Sequence, residues 1–190
     1  MMASRVRLAG FIGVVAAILL AAPHALAQTA GADMENTLYL DLEGGRVIIV
    51  MRPDLAPNHV ARIKELARAG FYDGLVFHRV IDGFMAQTGD PKGDGTGGSG
   101  QRLKAEFSDA KHVRGTTSMA RAGHPDSADS QFFIMLAPAS HLDGKYSVWG
   151  QVTEGMDYVD QIKKGPPEKN GTVTDPDRIV RMRVAADVAE

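Results

Sequence analysis

The chain contains no cysteine, which excludes a disulfide framework, a thiolate nucleophile and a thiolate metal site. A protein without thiols works in an oxidising compartment without mispairing, although this absence alone does not establish export. Nor is there an excess of positive charge: 21 Lys and Arg stand against 23 Asp and Glu, a formal net charge of −2, so the electrostatic footprint of a nucleic-acid-binding protein is missing. His59, His78, His112, His124 and His141 show no H-E-x-x-H or comparable metal-ligand spacing; satisfied surface or supporting histidines are the default expectation. No internal repeat is found.

Apolar runs long enough to cross a membrane are also lacking. Leu8 to Ala22 is apolar over fifteen residues, whereas a spanning helix needs about 20, and Gly10 and Gly13 interrupt it. With Arg5 and Arg7 before it and Ala25-Leu26-Ala27 after it, residues 1–27 read as a cleavable signal peptide, leaving a mature chain that begins near Gln28 and keeps no membrane segment. Val6 separates the two arginines, so general secretion is expected and not twin-arginine export. Residues 28–35 read as a loose leader, 36–186 as one domain and 187–190 as a tail. A chain of this length buries about two-thirds of its unfolded surface, enough for one real core.

What is present begins with a hairpin. Leu38, Leu40 and Leu42 alternate, Glu43-Gly44-Gly45 turns, and Arg46 to Met51 is β-branched and apolar. From Pro57 the period changes: Val60, Ile63 and Ala67 recur at helical spacing and Gly70 supplies a stop. Further strands are expected at Val76–Ile81, Met85–Thr88, Thr116–Ala120, Phe132–Leu136, Val148–Val152 and Arg178–Val184, with a second helix at Met156–Lys163. Many short strands between Gly, Asp and Pro turns mean a mainly β antiparallel sandwich or barrel, and composition does not choose between them. Gly89 to Gly100 and Lys164 to Asp177 read as long loops. Gly95 to Gly100 satisfies G-x-G-x-x-G, yet no strand runs into it and no helix opens after it, so a dinucleotide site is rejected. Asn170-Gly171-Thr172 is formally a glycosylation sequon, but Asn-Gly is first of all a turn.

The densest segment is FHRVIDGFMAQTGD, Phe77 to Asp90. It holds an arginine, a glutamine and alternating apolar side chains, with no nucleophile and no metal-ligand set, which points to catalysis by shape and hydrogen bonding. As a strand it places Phe77, Arg79 and Ile81 on one face and His78 and Val80 on the other. Asp82-Gly83 turns the chain, after which Met85 and Gln87 share a face and Phe84 and Ala86 share the opposite one. A guanidinium, a carboxamide and a thioether then meet on one concave wall suited to an extended peptide.

At these residues the chain resembles the cyclophilins, peptidyl-prolyl cis/trans isomerases with the pattern F-H-R-V-I-x-G-F-M-x-Q-G-G-D; Thr88 departs from it. The resemblance continues through GTGGSG at Gly95–Gly100, SMARA at Ser118–Ala122, SQFFI at Ser130–Ile134 and LDGKYSVWGQV at Leu142–Val152, across roughly residues 36–185. It implies a closed eight-stranded antiparallel β-barrel capped by two α-helices, acting on Xaa-Pro bonds without a cofactor. It implies Arg79 as the catalytic donor, with Gln87 holding the peptide backbone. Phe84, Met85, Phe133 and Leu142 match the positions that line the proline pocket, and Ala120 and Arg121 those that offer main-chain groups to the peptide. Arg121 stands where the family commonly has asparagine, His141 where many members have tryptophan, and Tyr146 where histidine is frequent. The rim therefore differs, and weak cyclosporin binding is expected. Trp149, within VWGQV, reads as a core strand residue and not as the missing rim tryptophan. The partners implied are proline-containing segments of unfolded or partly folded proteins, met by a monomer. A chaperone module that holds such segments with little turnover is the alternative. The compact form of ARAGHPDSADSQFFI looks bacterial, which with the signal peptide suggests a periplasm, or secretion from a single-membrane cell.

Overall fold

The computed structural model describes residues 33–188 together with Met1; the segment read as a signal peptide, most of the leader and the last two residues lie outside the described residues. Among the described residues, eight antiparallel strands and two α-helices make up a mainly β fold. The first hairpin joins β1 (Thr37–Leu42) to β2 (Gly45–Met51) with Leu42 opposite Gly45. Leu38, Leu40, Val47 and Ile49 are fully buried, as the alternation requires. Just before β1, Met34–Asn36 form a 3₁₀ turn capped by Asp33, and Glu35 pairs with Lys64 and Arg68.

Helix α1 (Pro57–Arg68) opens on proline and buries Val60, Ile63, Leu66 and Ala67. Its N-cap, Ala56, has no side-chain acceptor to offer. Glu106, far along the chain, fills that role: its carboxylate accepts from the backbone N–H groups of Asn58 (3.1 Å) and His59 (3.0 Å) and pairs with His59 Nδ1 (2.6 Å). This satisfies donors that a helix start leaves open and places negative charge at the positive end of the helix dipole. The helix stops where Gly70 turns left-handed (φ 69°), with Phe71 N–H donating to Leu66 O and Gly70 N–H to Ala67 O, the two bonds of a Schellman ending.

The remaining strands are β3 (Arg79–Ile81), β4 (Met85–Thr88), β5 (Thr116–Met119), β6 (Phe132–Met135), β7 (Val148–Glu154) and β8 (Arg181–Val184), in the sheet order β3-β4-β6-β5-β7-β2-β1-β8. The sheet curls around a core in which Phe132 sits edge-on to both Trp149 (5.3 Å) and Tyr72 (5.6 Å). Trp149 is fully buried, the core residue its sequence context implies. Strands β3 and β8 end the sheet and share no ladder. The seam is instead bridged by the segment from 171 to 180, which bonds to 74–80 through Gly74 N–H to Ile179 O, Phe77 N–H to Asp177 O and Val80 N–H to Gly171 O (2.8–2.9 Å).

Several expected boundaries shift, three of them with a visible cause. Regular β3 begins at Arg79, because residues 76–78 meet the bridging segment through isolated contacts. Phe77 consequently escapes the alternation and lies in the core with Val80, not beside Arg79. Strand β8 begins at Arg181, and Val180 N–H donates to Asp41 O just outside it. Helix α2 (Met156–Gln161) ends before Lys163, since Asp177 takes the Lys163 N–H (2.7 Å) and Ile162 turns into the core.

Two buried histidines make stability depend on pH. His78 is 5% exposed with neither ring nitrogen in a hydrogen bond, so it is not the satisfied histidine expected. His112 sits between Ser118 Oγ (2.9 Å) and Asp143 (3.2 Å). Burial lowers both pKa values, against the pull of Asp90 on His78 and of Asp143 on His112. A folded pKa below the unfolded value of about 6.5 means stabilisation that is complete above that pH and is lost as pH falls through the folded values. The melting temperature is therefore expected to drop as pH falls below about 6.5, and His78→Leu to flatten that drop. An unchanged slope in the variant, followed by circular dichroism, contradicts the assignment.

Candidate active site

Strand pairing puts Arg79 opposite Gln87, and Gln87 opposite Phe133. One row of side chains thus crosses three strands. Ile81, Met85 and Met135 form the next row on the same face, while Val80, Ala86 and Ile134 point the other way into the core. The outer face builds its own apolar cluster of Met85, Phe133, Met135, Ala139 and Leu142, flanked by Ile81, Phe84, Ala120 and Tyr146.

Over this cluster lies a cavity of about 320 Å³. Its walls bring together every residue singled out in the sequence: Arg79 and Gln87 at one end, Met85, Phe133 and Leu142 as floor, Phe84 and His141 on one rim, Ala120, Arg121 and Tyr146 on the other. Phe84 joins the site although alternation assigns it to the opposite face, because it belongs to the turn before β4 and not to the strand. It packs beside exposed His141 at 5.7 Å. Phe133 is fixed by rings on two sides, with His112 stacked at 6.2 Å and Tyr146 edge-on at 5.7 Å.

Arg79 is half-buried and has no carboxylate partner among the described residues; burial lowers its pKa from the usual arginine value. Three neutral oxygens hold it. Nε–H donates to Asn170 O (3.0 Å), Nη2 to Asn170 Oδ1 (2.9 Å) and Nη1 to Gln87 Oε1 (3.2 Å). A guanidinium has five N–H donors, so one on each terminal nitrogen is left without an oxygen partner. Gln87 is engaged at both ends, since its Nε2 donates to Gln131 Oε1 (2.9 Å), and Gln131 in turn donates to Gly95 O (3.1 Å) and Gly97 O (2.8 Å). Donation therefore runs in one direction, from the arginine through both amides to the carbonyls of the glycine loop. Gln87 keeps one N–H for a ligand.

On the other rim, Arg121 is tied to main-chain oxygens. Its guanidinium donates to Lys145 O, Ala122 O and Gly123 O (3.0–3.3 Å) and stacks on Tyr146 at 4.7 Å. Ala120 N–H is used by Gln131 O (2.9 Å), but its carbonyl, just past the end of β5, accepts no hydrogen bond among the described residues. The loop Gly95–Gly100 flanks the groove and lines a second cavity of about 650 Å³ that shares Gln87, Ala120 and Arg121 with the first. Among the described residues no group of three His, Cys, Asp or Glu side chains is placed to hold a metal ion.

Three supporting residues carry little signal in the sequence. Gln131 lay inside SQFFI without being singled out, His112 reads as one of several isolated histidines, and Asn170 reads only as a turn. Its signal was the Asn-Gly pair itself: Asn170 is left-handed (φ 53°), which asparagine tolerates better than other side-chain-bearing residues.

A curled antiparallel sheet with a peptide-sized apolar cavity under an unneutralised arginine defines a groove for extended, proline-sized segments. Residues 37–184 match the family model described as cyclophilin type peptidyl-prolyl cis-trans isomerase/CLD. A probable peptidyl-prolyl cis-trans isomerase of Brucella suis is 53% identical over 84% of this chain and 88% of its own length. Peptidyl-prolyl cis-trans isomerase B of Bacillus subtilis is 42% identical over 70% of this chain and 93% of its own. Among solved structures, a cyclophilin from Hirschia baltica superposes with a TM-score of 0.74 at 29% identity, covering 83% of this chain and 76% of that one. A Cryptosporidium parvum cyclophilin type isomerase, determined in the presence of the dipeptide Ala-Pro, gives 0.71 at 26%, covering 78% and 98%. The chain belongs to the cyclophilin-type peptidyl-prolyl cis/trans isomerases, and its activity is rotation about the peptide bond before proline.

Proposed function

We propose that the chain accelerates Xaa-Pro isomerisation in exported proteins by holding the twisted amide between Arg79 and the apolar floor of the groove. The observation that carries this reading is the guanidinium itself: half out of water, clamped by neutral oxygens, and left with donors to spare. A peptide C–N bond resists rotation by about 18–20 kcal/mol because the nitrogen lone pair is delocalised into the carbonyl. On rotation that lone pair localises on the prolyl nitrogen and becomes a hydrogen-bond acceptor, which the planar amide nitrogen is not. A donor aimed there binds the twisted state more tightly than either planar one. No proton is transferred. Bringing a step of tens of seconds to milliseconds is about 10⁴-fold, or roughly 5 kcal/mol, the scale of a charge-assisted hydrogen bond with positional restraint.

In this reading Phe84, Met85, Phe133 and Leu142 receive the proline ring. Gln87 orients Arg79 and gives its remaining N–H to the peptide backbone, and Ala120 and Arg121 pair with the extended chain through main-chain groups. The Ala-Pro dipeptide used with the Cryptosporidium relative supports proline as the occupant. The backbone bonds across the seam support a barrel closed through the bridging segment. Export is supported by the tripartite pattern of residues 1–27 and the lack of cysteine; protein recovered from the exporting cell is expected to begin at or near Gln28, and an intact Met1 on a membrane-bound form contradicts this.

A protease-coupled assay on an Xaa-Pro peptide tests the mechanism. Arg79→Ala is expected to lower turnover by about 10²-fold or more, out of proportion to any loss of peptide affinity, with Arg79→Lys rescuing only part because a point charge lacks the planar fork. Phe133→Ala is expected to weaken binding as well as turnover. Near-wild-type turnover in a folded Arg79→Ala variant contradicts the reading, and peptide binding with negligible wild-type turnover would leave the chaperone alternative.

The rim generates a second expectation. An indole at position 141 would supply an N–H donor and a broad apolar face; exposed His141 supplies much less area. Cyclosporin is therefore expected to bind weakly, and His141→Trp to tighten it by about 1–3 kcal/mol with little effect on a short peptide. Calorimetric titration showing tight wild-type binding, or no gain on substitution, contradicts this account of the rim.

A further inference from the structure

We propose that Asn170 is a positioning residue that aims Arg79, an inference that rests on the reading of Arg79 as the catalytic donor. Asn170 takes two of the arginine's three hydrogen bonds to oxygen, its backbone carbonyl from Nε (3.0 Å) and its side-chain Oδ1 from Nη2 (2.9 Å), while Nη1 meets Gln87 Oε1 and, at 4.0 Å, Met85 Sδ. Those two nitrogens form the edge of the guanidinium fork that a carboxylate normally grips with both oxygens. Here one residue offers two oxygens to that edge without a negative charge. The grip fixes the plane of the guanidinium and leaves its charge free for the twisted amide. A carboxylate at the same place would hold the plane and cancel the charge.

The loop that carries Asn170 is placed by backbone pairing, Thr172 standing opposite Arg79, independently of the Arg79 side chain, so the contact works as a clamp on the guanidinium and not as a latch on the loop. Val173 N–H donates to His78 O (3.0 Å), Val80 N–H to Gly171 O (2.8 Å) and Gly165 N–H to Val80 O (2.9 Å), which registers the loop to the residues on both sides of Arg79. The 3₁₀ turn Pro167–Lys169 ends on Asn170, whose N–H donates to Pro167 O (3.0 Å). Gly171 allows the close approach: a Cβ there would stand 2.9 Å from Val80 O. Asn170 itself is left-handed (φ 53°, ψ 33°), and this conformation brings its own carbonyl and side chain to the same partner. Arg79 also borders a cavity of about 460 Å³ that Asn170, Gln87, His78 and Asp94 help to line. Without the clamp the side chain has room to leave the groove.

Asn170→Gly tests this, because glycine keeps the left-handed backbone and the carbonyl contact and removes the side chain, and with it the one side-chain contact to Arg79 through Oδ1. Turnover of an Xaa-Pro peptide is expected to fall by about tenfold with affinity for the peptide within about twofold and an unchanged melting temperature. In an Arg79→Ala background the same substitution is expected to cost nothing further, the non-additivity of a residue that acts through its neighbour. Asn170→Asp, the second variant, keeps the acceptor and adds the charge, and its turnover is expected to fall while peptide binding persists. Wild-type turnover in either single variant, or an equal loss from Asn170→Gly with and without Arg79, overturns the proposal. Wild-type turnover in Arg79→Ala alone overturns instead the catalytic reading on which it stands.

Discussion

Antiparallel register among three short strands governs everything at the groove. Because Arg79, Gln87 and Phe133 stand opposite one another on β3, β4 and β6, one face of the pleat carries a polar-to-apolar row, and the intervening Val80, Ala86 and Ile134 build the core. A one-residue slip in any of the three strands would exchange the two sets. The site is thus anchored by the same burial that stabilises the fold. Phe132 and Phe133 illustrate the division: adjacent in sequence, the first packs against Trp149 and Tyr72 and the second against His112 and Tyr146.

Electrostatics then separates Arg79 from the arginines that pair with aspartate. Arg46, Arg52, Arg68, Arg114 and Arg183 each face an aspartate, and such exposed pairs contribute little to stability. Arg79 is less solvated, faces only neutral oxygens, and carries a pKa lowered by burial. Keeping a charge there is unfavourable for the empty groove. That cost is recovered when a substrate supplies an acceptor, and recovered most when the acceptor is the localised lone pair of a twisted amide.

Much of this was legible in the order of residues, and the failures have physical causes. Period-two and period-3.6 patterns locate the first hairpin and α1 because both depend on local burial. The cap of α1 was not legible: Ala56 gives no hint that Glu106, brought in by the tertiary fold, serves it. Alternation misplaced Phe77 and Phe84 since neither lies within regular strand. The site positions gathered around one cavity because they lie in motifs whose spacing the fold conserves in three dimensions, whereas Asn170 and Gln131, which hold Arg79 and Gln87, act through backbone and amide contacts with no periodic signature. A barrel closed by strand pairing was expected, yet β3 and β8 are joined through an irregular segment whose hydrogen bonds no hydrophobic pattern announces.

The central claim is that Arg79 acts on the twisted amide and not on the planar peptide. Exchange NMR on an Xaa-Pro peptide in the presence of enzyme reads this most directly, because it gives the cis–trans interconversion rate on the protein separately from the affinities of the two isomers. The account predicts that replacing Arg79 with alanine slows on-enzyme interconversion steeply while both isomers still bind. Interconversion at the wild-type rate, with affinity alone reduced, would contradict it.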